Sequence, residues 1–425
     1  MQSHTKYTIW TFVLTVGAFT ALFLCKLFLP SMKVKRPDYS CDQVVAERLQ
    51  RLVQHNLDSL GNASIYVYDM TADSVLFAHD ADKALTPASC QKIITTFAAY
   101  DHLSEYNNAF ADSLMAVGEI TPAGYLKGHL FLRGSYDPLL KDFSSFAKAL
   151  KAKGIKIVYG DLVCQLRVHQ KFENRDIPHE SLPVLYKGAD EVAMDLRNQL
   201  AKLGIYVTGR TMFLNYDSKL PFNLDAKLPD GTPKTRLLHA EGHSLEEIMG
   251  HLMQNSDNRS AEAVFCCLGA SNTTGHSGGS GADICRNSLK KFFPGLTDKQ
   301  CHIEDGSGLS YDNKVTARVL VDLLRVSHNY GLLGHFLVDE AMPKSGASGT
   351  LKGRMKGTPA EGNICAKTGT LPQFPASSLA GYCQSTRGHL LAFAIISNGP
   401  KSRAGNAYIH RAKIFENEFC IEMCR

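Results

Sequence analysis

The two ends of the main body of this chain mirror each other, and that constrains its fold more than any other feature. Ser40 to Leu57 reads as a helix: Ser40 and Gln43 form a capping box, and Val45, Leu49, Leu52 and Val53 share one apolar face. Ala63 to Met70 is rich in β-branched and aromatic residues. Thr-Ala-Asp-Ser and then Val75-Leu76-Phe77 follow it, the pattern of a β-hairpin. Near the other end, Ser378–Gln384, the turn Ser385–Gly388 and His389–Ser397 form a second hairpin, and His410–Cys424 reads as a closing helix. Helix-hairpin at one end and hairpin-helix at the other predict one antiparallel sheet built from both, with helices packed on it, an α/β sandwich.

The middle of the chain has a different texture. Strand-like runs at Gly128–Leu132, Ile155–Tyr159 and Ile205–Val207 alternate with helical stretches at Phe143–Lys153 and Asp190–Leu203. Residues 112–228 therefore read as an inserted accessory domain. It divides the body into residues 40–111 and 229–425, and residues 1–39 precede it. Residues 269–283 are a Gly/Ser-rich loop. A length of 425 residues fits two or three domains.

Tyr7 to Cys25 carries no charge, and Leu27-Phe28-Leu29 extends the run past Lys26. Residues 7–29 are long enough to span a bilayer as a helix. No small-x-small site follows, so an uncleaved anchor is preferred over a cleaved signal peptide. Lys33, Lys35 and Arg36 behind the span would by themselves favour a cytosolic body. The motifs below override them, because their substrate lies outside the membrane. The expected location is periplasmic or otherwise extracytoplasmic, anchored to the inner membrane.

Hydrophobic residues make up 44% and charged residues 20%, an ordinary globular balance. The net charge of +5 is spread along the chain without a Lys/Arg run, so nucleic-acid binding is unsupported. Twelve cysteines and sixteen histidines show no metal-ligand spacing, and neither a metal nor another cofactor is expected.

Three short motifs carry chemistry. They are Ser89-Cys90-Gln91-Lys92, Ser256-Asp257-Asn258 and Lys367-Thr368-Gly369. Each alone is commonplace: SxxK recurs at Ser3/Lys6, Ser145/Lys148 and Ser288/Lys291, and SxN at Ser327/Asn329. Context separates the first set. Ser89 follows Thr86-Pro87-Ala88, a helix start, and the β-branched run Ile93–Thr96 suits a buried central helix. Lys92, three residues on, shares a helix face with Ser89 and is the candidate base. That role requires its pKa to fall by roughly three units from about 10.4, which burial and a second cation, Lys367, would both favour.

In this order the triple is a signature of class A β-lactamases and penicillin-binding proteins. With DGSGLS (Asp305–Ser310), GTLKGRM (Gly349–Met355), AKTGTL (Ala366–Leu371) and GDL (Gly160–Leu162), the chain resembles the D-alanyl-D-alanine carboxypeptidase/endopeptidases of the penicillin-binding protein 4 type over roughly residues 45–400. The resemblance implies a β-lactamase/DD-peptidase-like fold with an inserted domain, peptidoglycan peptides as substrate and β-lactam antibiotics as inhibitors. It implies Ser89 as nucleophile, Lys92 as base, Ser256 as proton relay and Lys367 as a carboxylate-binding cation. Asn258, Thr368, Gly369 and Thr370 would contact substrate, with the N–H groups of Ser89 and Thr370 as oxyanion hole. It further implies that the first and last helices pack antiparallel, which would allow Cys41 to bridge Cys420 or Cys424. The insert is shorter than usual for that family after Gln170, which favours carboxypeptidase over endopeptidase action. A serine β-lactamase or esterase, and a catalytically dead wall-binding protein, are the alternatives. Glu262, Glu304, Glu340 and Glu361 lie where a lactamase would carry a deacylating Glu, but none matches that role. Arg354 is expected to be clamped by a carboxylate partner.

Overall fold

The computed structural model describes residues 42–104, 110–140, 142–166, 189–215, 218–271, 280–400 and 405–425. Helix α1 (Gln43–Leu60) leads into β1 (Asn62–Asp69) and β2 (Ser74–His79). A 3-10 turn (Ala88–Cys90) opens α2 (Gln91–Leu103). Strands β3 (Asp112–Ile120) and β4 (Tyr125–Arg133), helix α3 (Ser144–Ala152), strands β5 (Ile157–Val158) and β6 (Leu162–Leu166), helix α4 (Ala189–Lys202), and strands β7 (Tyr206–Val207), β8 (Thr211–Asn215) and β9 (Thr235–Glu241) follow. Then come α5 (Leu245–Asn255), α6 (Asn258–Ser271), α7 (Gly281–Phe292), β10 (Cys301–His302), β11 (Lys314–Val315) and α8 (Ala317–Asn329). Strands β12 (Cys365–Leu371), β13 (Ala376–Gln384) and β14 (Leu390–Asn398) and helix α9 (Gly405–Met423) close the chain.

The two ends meet as expected. The first sheet runs β12-β13-β14-β1-β2, and β1 pairs antiparallel with β14 from Asn62↔Asn398 to Asp69↔Leu391. Both faces are covered. Leu391, Phe393 and Ile395 point into a core with Val45, Leu49 and Val53 of α1 and Phe415 and Phe419 of α9. Ala392, Ala394 and Ile396 point the other way, towards Ile93, Ile94 and Phe97 of α2. The period of two puts bulky side chains under the α1/α9 pair and alanines on the opposite face, where α8 (Ala317–Asn329) packs closely on β14 and β1, with α2 beyond it in the same core.

The expected cap is displaced. Ser40 lies outside the described residues, and Asp42 caps α1 by accepting from Val45 N–H at 3.2 Å. The loop read at 269–283 is shorter than expected. Helix α6 runs to Ser271, and a Ser280/Asp283 capping box starts α7.

A second, seven-stranded sheet holds β3 to β9. The expected boundary at 228 falls short of its last strand, because β9 (Thr235–Glu241) pairs with β3 from Asp112↔Glu241. The boundary read by composition missed that return strand because Thr235–Glu241 lacks a clean apolar alternation. Residues 7–29 and Cys41 lie outside the described residues, and no described helix is long and apolar enough to cross a membrane. Cys420 and Cys424 are buried, as are the other described cysteines.

Candidate active site

The three motifs converge from three kinds of local structure. Ser89 sits in the 3-10 turn ahead of α2, whose residues Gln91–Ala99 are all buried. Ala88 just before it is held at φ +47°, a conformation uncommon for a residue with a Cβ. Ser256 terminates α5 in the left-handed region, φ +55° and ψ +34°. Asp257, between the two reading residues of its motif, has a structural task. Its Oδ2 accepts from Ser260 N–H (2.9 Å) and Ser260 Oγ (2.5 Å), capping α6, which Asn258 opens. The Lys367-Thr368-Gly369 motif lies within β12, the edge strand of the first sheet, just ahead of the β13–β14 hairpin.

Close backbone approach locks these pieces together. A Cβ on Gly369 would lie 2.9 Å from Ser89 N and 2.7 Å from Pro87 O. The face of β12 at Gly369 therefore packs on the Ser89 turn, and its outer edge borders the cleft. Ala366 N–H donates across that edge to Pro343 O at 3.0 Å. Backbone N–H groups alternate between strand edges, so those of Thr368 and Thr370 point the same way. A cleft of about 320 Å³ opens here, lined by Ser89, Ser256, Asn258, Leu309, Thr350, Arg354, Thr368, Thr370 and Lys413.

Two buried amines lie behind the cleft. Lys92 Nζ is 3.0 Å from Ser89 Oγ, 2.7 Å from Asn258 Oδ1 and 2.6 Å from Ser307 O. Lys367 Nζ donates to Ser256 Oγ at 2.8 Å and to Thr368 O at 2.7 Å. Burial lowers the Lys92 pKa to about 8, against the opposing pull of Asp305, Glu262 and Asp257. Burial also lowers Lys367, to about 7, and the nearby charge of Lys92 adds to that. The two ammonium charges oppose one another, as expected, and the carboxylates around Lys92 pull it the other way. Cys90 faces away from the cleft, its Sγ 3.2 Å from Lys367 O, and burial pushes its thiol up to about 11.

Known proteins match this arrangement. The family model for the D-Ala-D-Ala carboxypeptidase 3 (S13) family matches residues 45–201 and 189–418. The chain belongs to the S13 family. A D-alanyl-D-alanine carboxypeptidase of Actinomadura sp. (strain R39) is 36% identical over 163 residues, 36% of this chain and 28% of that protein's length. The fold matches penicillin binding protein 4 from Haemophilus influenzae, solved in complex with a β-lactam. The TM-score is 0.66 at 21% identity, over 88% of this chain and 99% of that one. It also matches a penicillin G-acylated predatory endopeptidase from Bdellovibrio bacteriovorus, with TM-score 0.53, 16% identity and coverage of 85% and 92%.

In this S13 chain the structure brings together every residue singled out from the sequence: Ser89, Lys92, Ser256, Asn258, Lys367, Thr368, Gly369 and Thr370. The decoys are elsewhere: Ser145 on α3, Ser288 buried on α7, and Ser327 bonded to Leu323 O within α8. Arg354 has its carboxylate partner, Glu416 at 2.9 Å, and also lines the cleft. Asp305 accepts from Gly308 N–H (2.7 Å), Ser310 N–H (2.6 Å) and Asn313 Nδ2 (2.9 Å). It thereby folds the DGSGLS loop so that Ser307 O meets Lys92. Sequence reasoning weighed Glu262 only as a deacylating residue and did not place it behind that loop, and it missed Thr350, whose hydroxyl is 2.7 Å from that of Thr368. The position of Glu262 one helical turn after Asn258 was the available signal.

Proposed function

We propose that this S13 chain is a serine D-Ala-D-Ala carboxypeptidase that cleaves peptidoglycan stem peptides through an acyl-enzyme on Ser89 and is trapped by penicillin. One observation carries the reading: Lys92 Nζ has three acceptors around it, and two of them cannot donate. A neutral amine spends two N–H groups on Asn258 Oδ1 and Ser307 O. Its lone pair then faces the Ser89 hydroxyl 3.0 Å away.

In this mechanism Ser89 Oγ attacks the carbonyl carbon of the scissile D-Ala-D-Ala bond while its proton passes to Lys92. The N–H groups of Ser89 and Thr370 hold the oxyanion, each worth roughly 3 kcal/mol in the transition state. Ser256 relays a proton to the departing D-alanine amine. Asn258 Oδ1 is engaged by Lys92, so its Nδ2 is the group that donates to the substrate. Lys367 and Thr368 bind the terminal carboxylate. Water then hydrolyses the acyl-enzyme. The residues lining the cleft include no carboxylate that could hold a deacylating water, which supports a peptidase over a β-lactamase. We further propose that residues 7–29 anchor the protein with its body on the outer side of the membrane, supported by their uncharged, apolar sequence.

The deciding experiment is labelling with a fluorescent penicillin followed by peptide mapping, alongside D-alanine release from a pentapeptide. Label on Ser89, lost in Ser89→Ala, together with D-alanine release, is the expected result. Label on Ser145 or Ser288, or fast penicillin hydrolysis without D-alanine release, would overturn the reading.

A further inference from the structure

Glu262 is a buried carboxylate that the mechanism above does not use. It lies on α6 and is 1% exposed. Its Oε1 accepts from Ser307 N–H at 2.8 Å, while its Oε2 is buried with no hydrogen-bond partner. The carbonyl of the same residue, Ser307, accepts from Lys92 Nζ at 2.6 Å. One residue thus bridges the candidate base and the carboxyl group.

The groups facing Glu262 come from three directions. Asp305 lies on the DGSGLS loop, Lys92 on α2 and the Cys285 thiol on α7. Two buried carboxylates side by side disfavour double ionisation, and the one with more donors keeps its charge. Asp305 accepts three hydrogen bonds and Glu262 one. The proton of the pair therefore belongs on Glu262, at its bare Oε2.

We propose that Glu262 is a positioning residue for Lys92: neutral Glu262 lets the amine lose its proton and act on Ser89, and ionised Glu262 holds it as ammonium. The coupling is electrostatic, with Ser307 held between the two groups by its N–H and its carbonyl, and each group exchanges its own proton with solvent. Burial pushes Glu262 up to about 7, so its charge is present where Lys92 titrates near 8. The inference rests on the acylation chemistry proposed above.

The test compares the pH dependence of penicillin acylation in the wild type and Glu262→Gln, which keeps an acceptor for Ser307 N–H. Below about pH 6 the two profiles should coincide, because Glu262 is then protonated in the wild type as well; between about pH 7 and 8 the variant should acylate faster, its midpoint moved down by up to about one unit. Profiles that coincide through pH 7–8 would overturn the proposal. A second readout uses no acylation at all. With ¹³C-labelled glutamate carboxyls in the wild-type protein, one resonance should titrate near neutrality, and Lys92→Met should raise its midpoint by removing the neighbouring cation. If every glutamate is ionised by about pH 5.5, or the midpoint does not move in Lys92→Met, the proposal fails. A wild type that never acylates would instead sink the proposed function, and the carboxyl titration would still judge the Lys92–Glu262 coupling. The same titration decides the matter if Glu262→Gln does not fold.

Discussion

Gly308 offers a sharp test of how the nucleophile is seated. It sits at φ +83°, and a Cβ there would lie 1.9 Å from Ala88 O and 2.5 Å from Ala88 C. To reach even the 3.0 Å floor of real Cβ contacts, the loop and the Ser89 turn must separate by more than an ångström. Ala88 is itself strained at φ +47° and is bonded covalently to Ser89, so the displacement reaches the hydroxyl. The left-handed conformation costs an alanine about 1 kcal/mol, and the collision adds roughly 1–3 kcal/mol. A misplacement of about 1 Å is worth about 10²-fold in rate. Gly308→Ala should therefore lose about 2–4 kcal/mol in chemical denaturation, and its folded fraction should acylate about a hundredfold more slowly. Gly231→Ala is the control, because Gly231 has the same φ of +83° but nothing within 4 Å of its would-be Cβ. It should lose about 1 kcal/mol and acylate at the wild-type rate. If the two variants acylate equally fast, the DGSGLS loop does not seat Ser89 and the reasoning fails.

Other expectations follow from the same geometry. Acylation needs neutral Lys92, so its rate should rise with pH to a midpoint near 8 and fall tenfold per unit below it; a flat profile from pH 5 to 8 would refute the assignment of Lys92 as base. Both buried lysines hold fewer protons folded than unfolded, so stability should rise as pH goes from about 7–8 towards 10.5, and Lys92→Met should flatten that rise in thermal melts. Arg354→Met strands Glu416, which is 1% exposed, and should cost roughly 3–5 kcal/mol by denaturation; a loss under about 1 kcal/mol would mean that Ser377, which donates to Glu416 Oε1 at 2.6 Å, suffices. The penicilloyl adduct should outlast the peptide acyl-enzyme, because penicillin's leaving group stays tethered and blocks water; intact-mass measurements showing adduct loss within a turnover time would contradict this.

The outer architecture was legible because it is written in local patterns. Each hairpin carries its own turn, and the residues at Ile65, Val67, Phe393 and Ile395 are apolar because both faces of the sheet are covered. The second sheet was only half legible. Strands β4, β5 and β7 lie within runs that announce themselves, whereas β8 and β9 pair with distant partners; Thr211–Leu214 of β8 are all half-buried, and β9 buries only Leu238. Only their partners, β6 and β3, define them as strands. Tertiary pairing of that kind leaves little trace in a short window. The cap of α1 failed for a simpler reason: Ser40 and Asp42 are both capping residues, and Asp42 is the one whose carboxylate reaches Val45 N–H.

At the site, residue types told what chemistry was available but not what surrounds it. SxxK could be read because i and i+3 share a helix face, and that relation survives in the 3-10 turn that holds Ser89. The electrostatic surroundings of Lys92 could not be read, since they come from Asp305 and Glu262, far away in the sequence. That the charges of Lys92 and Lys367 oppose one another was legible from the motifs; the carboxylates that pull Lys92 the other way were not. A base tuned this way depends on burial outweighing nearby negative charge, a balance of two large terms. Glu262, with its bare oxygen, is the member of that cluster with the fewest hydrogen bonds holding its charge, and so the one whose protonation can tip it.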